Sequence, residues 1–194
     1  MLGSIDDAPF VTAMVKRATA LSNQLDGVIL NAASLGQSPL IRVSDLNPEE
    51  FQQLRNLNLS GNLRMLKACH PFLAKTPHNR VLVLTSDAAH AHFPGWADYR
   101  ATKAALELLA LTYAAENRGI HVYIIDPGDM DTEMHHLAVP NDPGPLFDPQ
   151  SGAQALTPLW HAPAYRTGRW PVRSDNTGTL HVKEAPSDGQ IPFH

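Results

Sequence analysis

Cys69 is the only cysteine among 194 residues, which excludes an internal disulfide framework and fits a reducing compartment best. An excess of positive charge is also missing. The formal net charge is -4 and no lysine- or arginine-rich cluster occurs, so neither nucleic acid nor a membrane surface is an expected partner. No apolar run approaches the ~18 residues that would span a bilayer. The opening residues, Met1 to Asp7, lack the basic and apolar regions of a signal peptide, so the expected address is cytoplasmic. There is no internal repeat and no second-domain boundary. A glycine-rich phosphate-binding turn of the Gly-x-x-x-Gly-x-Gly kind is absent as well. The 10 histidines include the close pairs His90/His92 and His135/His136, but no carboxylate–histidine spacing completes a ligand set. These histidines are expected to be solvated loop residues around a cleft, and no metal is expected.

What is present is an alternation of strand and helix. Hydrophobic residues make up 43% and charged residues 18%, ordinary for a globular domain with a sizeable core. Apolar positions at helical spacing predict a helix from Ala8 to Gln24, started by Asp6 or Asp7 with Pro9. Gly27-Val28-Ile29-Leu30 predicts a short buried strand. A second long helix is expected over Pro48–Leu73 and a third over about Trp96–Glu116. Between and after them, Val81–Leu84 is apolar at every position, as a strand covered on both faces is, and His121–Ile125 predicts another buried strand. This order predicts an α/β fold with a parallel sheet flanked by helices. Beyond Met134 the proline- and glycine-rich stretch 135–150 is expected to be an exposed loop. Ser151–Trp160 suggests a short helix and Gly168–Val172 a short edge strand. Residues 1–172 would then form the domain, and the polar residues 173–194 a mobile tail.

Three residues could carry chemistry. Tyr99 and Lys103, four apart on a predicted helix, share a face. A lysine beside a phenol favours the phenolate and could lower its pKa by roughly 1–3 units, towards proton exchange at neutral pH. Ser86 follows the Val81–Leu84 strand at the edge where parallel α/β sheets bind ligands. Alone, a Tyr-x-x-x-Lys pair is more often a surface helix pair; the strand-end serine thirteen positions earlier makes the pairing specific.

At these residues the chain resembles the short-chain dehydrogenase/reductase family, over roughly Asp6 to Met134. Leu30-Asn31-Ala32-Ala33 is similar to that family's strand-end Asn-Asn-Ala-Gly, and Asn58-Leu59-Ser60-Gly61 to its helical Asn-x-x-Gly. Leu84-Thr85-Ser86 resembles its strand-end serine. Tyr99-Arg100-Ala101-Thr102-Lys103 resembles its Tyr-x-x-x-Lys, between Phe93-Pro94-Gly95 and Ala104-Ala105-Leu106. Pro127-Gly128 and Thr132 resemble its Pro-Gly with a following threonine. The resemblance implies a Rossmann-like sheet and an NAD- or NADP-dependent oxidoreductase interconverting a carbonyl and a secondary alcohol by hydride transfer. It makes Tyr99 the general acid and base and gives Lys103 the nicotinamide ribose. Ser86 would orient the substrate oxygen, and Asn58 would hold a water that relays the proton. Asn31 would support the adenosine side, and Pro127, Gly128 and Thr132 the nicotinamide end. Each weaker member has a plainer alternative: Asn31 as a strand–loop cap, Asn58 as an ordinary helical polar residue, Thr132 as a helix N-cap. Cys69 is expected to be a small core residue.

The resemblance also exposes a departure. The family's first strands and its glycine-rich pyrophosphate turn have no counterpart here, and the residue that selects NAD or NADP goes with them. The Val28–Leu30 strand should then be an edge, prone to pairing with another chain. Helices at about 50–73 and 97–117 would pack against a second copy in a homo-oligomer. Two readings follow: an oxidoreductase acting on a small ketone or alcohol, with dinucleotide binding by this chain in doubt, or a non-catalytic truncated relative kept for interactions.

Overall fold

The computed structural model describes residues 2–77, 79–161 and 166–184. Its chain order is α1 (Ala8–Ala18), β1 (Gly27–Leu30), α2 (Pro48–Arg55), a π-helical turn (Asn56–Gly61), α3 (Asn62–Leu73), β2 (Arg80–Leu84), α4 (Ala97–Glu116) and β3 (His121–Asp126). There follow α5 (Glu133–Ala138), α6 (Pro149–Ala155), α7 (Thr157–His161), β4 (Gly168–Ser174) and β5 (Leu180–Val182). The sheet order is β1-β2-β3-β4-β5, parallel except for the antiparallel β4–β5 pair. This is the expected α/β, Rossmann-like architecture.

Strand alternation divides the core into two layers. Val81 and Val83 of β2 and Val122 and Ile124 of β3 face α1, α3 and α4, where they meet Val15, Leu66, Cys69 and Leu106. Leu82, Tyr123 and Ile125 face the other way, against α6, α7, Trp170 and Val172. Cys69 is the small core residue the sequence suggested, and burial pushes its thiol pKa up to about 11.

Several expectations change. α1 stops at Ala18 instead of Gln24, and Leu21, counted on its apolar face, is fully solvent-exposed. The long helix over Pro48–Leu73 is interrupted by the π-helical turn at Asn56–Gly61. The stretch 135–150 is not all loop: Thr132 accepts a hydrogen bond from the His135 N–H (3.2 Å) and starts α5. The Gly168–Val172 strand runs on to Ser174 and is no edge, because β3 lies on one side and β5 on the other. The polar stretch from Arg173 therefore begins inside the sheet. A hairpin turn returns it as β5, with Asp175 accepting from Thr177 and Thr179 N–H groups. The rest of the expected tail, residues 185–194, lies outside the described residues.

Candidate active site

Parallel strands end at one rim of the sheet, and the segments leaving β1, β2 and β3 there enclose a cavity of about 1160 Å³. Asn31, Ser86, Tyr99, Lys103, Pro127, Gly128 and Thr132 all line it. Asn58 does not. Leu35, Phe93, Trp96, Met130 and Met134 supply an apolar wall.

α4 carries Tyr99 and Lys103 into this space. Tyr99 is buried, its ring edge-on to Trp96 (centroids 5.9 Å). Its hydroxyl has no hydrogen-bond partner among the described residues. The Lys103 ammonium lies 5.5 Å from the Tyr99 ring centre and donates to the Leu84 carbonyl (2.9 Å), which ties α4 to the end of β2. An ammonium has three protons, so two remain for a ligand. Ser86 follows β2 in extended backbone. Its Oγ accepts from the Ala88 N–H (3.1 Å) and donates to Asp87 Oδ1 (2.9 Å).

The electrostatics differ from the sequence expectation. The Tyr99 phenol is pushed up to about 12, by burial first and then by Asp87 and Asp126. Lys103 is itself lowered to about 8, because burial outweighs the raising effect of Glu107. Burial and the two aspartates, all of which raise it, set the phenol's pKa. Tyr99 is a protonated donor at neutral pH.

Asn58 sits in the π-helical turn, 1% exposed, and its amide is fully used. Oδ1 accepts from the Ser34 N–H (2.8 Å), and Nδ2 donates to the Ser34 carbonyl (2.8 Å) and to Thr102 Oγ1 (3.1 Å). Asn62 adds a bond to the Ala32 carbonyl (2.9 Å). These amides fasten the chain leaving β1. Asn31 itself is exposed on the cavity wall. Gly128 adopts φ 75°, open to glycine at little cost, and its N–H bonds Asp126 Oδ1 (3.2 Å), which shapes the Pro127–Gly128 turn.

Three of the four histidines singled out in the sequence are paired with carboxylates, two of them while more than half exposed. His90 pairs with Glu107 (2.8 Å), His136 with Asp131 (2.7 Å), and the largely buried His135 with Asp142 (2.7 Å). The sequence singled out neither Glu107 nor Arg169. Glu107 stands four residues after Lys103 on the same helix face, a legible signal. Arg169 is found only through strand alternation with Trp170 and Val172.

Comparison with known proteins places the chain. The family model described as short chain dehydrogenase matches residues 2–142, and the chain belongs to that family. An uncharacterized oxidoreductase of Schizosaccharomyces pombe is 32% identical over 130 residues, 67% of this chain and 51% of that protein. The 3-oxoacyl-[acyl-carrier-protein] reductase of Escherichia coli is 28% identical over 133 residues, 68% of this chain and 53% of that protein. The chain thus spans about half the length of the curated relatives it matches. Among solved structures, an alcohol dehydrogenase from the archaeon Thermococcus sibiricus complexed with 5-hydroxy-NADP superposes with a TM-score of 0.75. It is 28% identical and is matched over 88% of this chain and 72% of its own. A short chain dehydrogenase from Shigella flexneri complexed with NADP gives a TM-score of 0.69 at 26% identity, covering 79% of this chain and 63% of that one.

Proposed function

We propose that this chain forms the proton-transfer half of an NAD(P)-dependent oxidoreductase that interconverts a carbonyl and a secondary alcohol, with Tyr99 as general acid and base. The observation that carries the reading is the unpartnered Tyr99 hydroxyl, opening on an apolar cavity shared with Ser86 and Lys103. The donor set fits the nicotinamide end of a dinucleotide: Lys103 has two protons to offer a ribose, and the Pro127–Gly128 turn faces the same space. The pyrophosphate end finds no glycine-rich turn in this sequence. A bound nicotinamide supplies the hydride. Ser86 turns its proton from Asp87 to the substrate oxygen and so orients the carbonyl. Tyr99 delivers its proton to that oxygen, and the Lys103 charge stabilises the phenolate left behind. Trp96 and Phe93 line the same space with apolar surface. The protonated phenol is the form that donates in the reductive direction. The substrate is a small carbonyl compound or alcohol. The coenzyme is NADP or NAD, and the complexes of the two solved relatives support the former. A second copy is the expected partner, through helices that leave Leu63 and Leu108 exposed.

The test is reduction of a ketone panel with NADPH and NADH. Tyr99→Phe is expected to lose about 10²–10⁴ of the rate, with coenzyme binding unchanged. Equal rates in the two proteins would remove Tyr99 from the role. The uncovered face of β1, with Ile29 51% exposed, favours a second reading, a non-catalytic interaction protein. Absence of saturable coenzyme binding at millimolar concentration would select it.

A further inference from the structure

Behind the cavity wall, a polar cluster joins the elements that carry the site. Alternation along β4 sends Trp170 and Val172 into one core layer and Arg169 to the opposite face, towards α4. There its guanidinium donates to the Ser86 carbonyl (3.2 Å) and stands 3.7 Å from both Glu107 of α4 and Asp126 of β3. Glu107 is 5% exposed. One of its oxygens accepts from Thr85 Oγ1 (2.5 Å), and the other holds His90 Nε2 (2.8 Å). Residues 85, 86 and 90 are therefore gripped on side chain, carbonyl and ring by the Arg169–Glu107 pair. Asp126 also receives Arg173 (3.0 Å) and shapes the Gly128 turn.

We infer that Arg169 and Glu107 are positioning residues, a clamp that fixes the Ser86 backbone so that its hydroxyl faces the Tyr99–Lys103 pair. Arg169 lies outside the span matched by the family model, and neither residue touches the reacting atoms. The guanidinium hydrogen-bonds the Ser86 carbonyl and meets the two carboxylates as ion pairs, with its buried Nε facing Glu107 at 3.7 Å without a hydrogen bond. Glu107 is buried, so loss of the Arg169 charge weakens its compensation and loosens the bonds it makes to Thr85 and His90. The clamp accordingly acts as a unit.

The catalytic meaning of the clamp rests on the oxidoreductase reading; its existence does not. The first readout is amide hydrogen exchange of the full chain without coenzyme. Arg169→Gln and Glu107→Gln should each lower protection of the Ala88 N–H, which bonds Ser86 Oγ, by about tenfold. Protection at Val11 and Leu66 should not change. The double variant should lose no more than either single one, the mark of coupled residues. Unchanged protection at Ala88, additive losses, or a loss spread evenly over the chain overturns the clamp. If Arg169→Gln does not fold, Arg169→Lys, which keeps the charge between the carboxylates, decides by the same criteria. The second readout is ketone reduction with NADPH. The Gln variants should lower kcat by about tenfold with the KM for NADPH unchanged, the pattern of a lost transition-state contact. A clamp seen by exchange in a chain without turnover contradicts the oxidoreductase reading alone. Turnover with kcat unaffected contradicts the positioning role alone.

Discussion

The two sides of the cavity are built differently. On the side of β2 and β3, strands are covered on both faces, and their ends are held by Lys103, Glu107, Arg169 and Asp126. On the side of β1, only β2 lies alongside among the described residues, Ile29 is 51% exposed, and Asn31 and Ala32 stand open to solvent. The held side carries Ser86, Tyr99 and Lys103, the groups of the proposed proton transfer. The open side faces where a dinucleotide's adenosine half would extend, and it relies on two buried asparagines for its shape. Proton chemistry demands fixed distances, so the burial and hydrogen bonding are concentrated where it would occur.

The comparison is broken most forcefully in the core. Leu82→Ala should cost about 2–5 kcal/mol, since a side chain 1% exposed leaves a cavity between β2 and the α6–α7 layer. Urea unfolding measures it, and a cost near zero would show that this side is not held by packing. Asn58→Ala should cost about 2–3 kcal/mol, because the Ser34 N–H and carbonyl lose their partners. It should also raise hydrogen exchange across residues 32–35 while sparing 85–90. Equal loosening of both segments would dissolve the distinction between the two sides.

These two positions also show what the sequence made legible. The extent of β1 matches its apolar run residue for residue, although Ile29 is half exposed on a face expected to be buried. β2 and β3 match nearly so, because continuous apolar runs identify strands covered on both faces. The gathering of Ser86, Tyr99 and Lys103 at one rim followed from strand ends and helical spacing. The π-helical turn was not legible. Asn56–Gly61 carries no breaker before its last residue, and the turn coincides with a long-range contact, Asn58 to Ser34, that periodicity cannot report. β5 escaped for a related reason: three residues in a polar stretch acquire strand character only by pairing with β4. The phenol's pKa was misjudged because spacing reveals the neighbouring lysine but not the burial and the two aspartates that raise it.

A subtler test uses pH. Lys103 titrates at about 8 in the folded chain against an ordinary 10.5, so between those values the unfolded state binds more protons and stability rises with pH. Cys69 and Tyr99 work the other way. Their folded values, about 11 and about 12, exceed the ordinary 9.0 and 10.0, so stability is lost as pH climbs past 9 and then 10. The urea midpoint should therefore rise from pH 8 to 9 and then turn over. Lys103→Met should abolish the rise; persistence of the rise would assign it to another group. The smallest effect is expected on the open side, where Ile29→Ser should change stability by less than about 0.5 kcal/mol. A large loss there would mean that β1 is covered in solution.

The most direct test of the account uses reduced nicotinamide mononucleotide, which presents the nicotinamide and its ribose without the adenosine half. Followed by NMR on the 194-residue chain, it should shift the resonances of Ser86, Tyr99 and Lys103. Its affinity should lie within about tenfold of that of NADPH, because the held side supplies the contacts and this sequence has no pyrophosphate turn to add more. Saturable NADPH binding that leaves Ser86, Tyr99 and Lys103 unperturbed would contradict the account, and would place the dinucleotide away from the proton-transfer site.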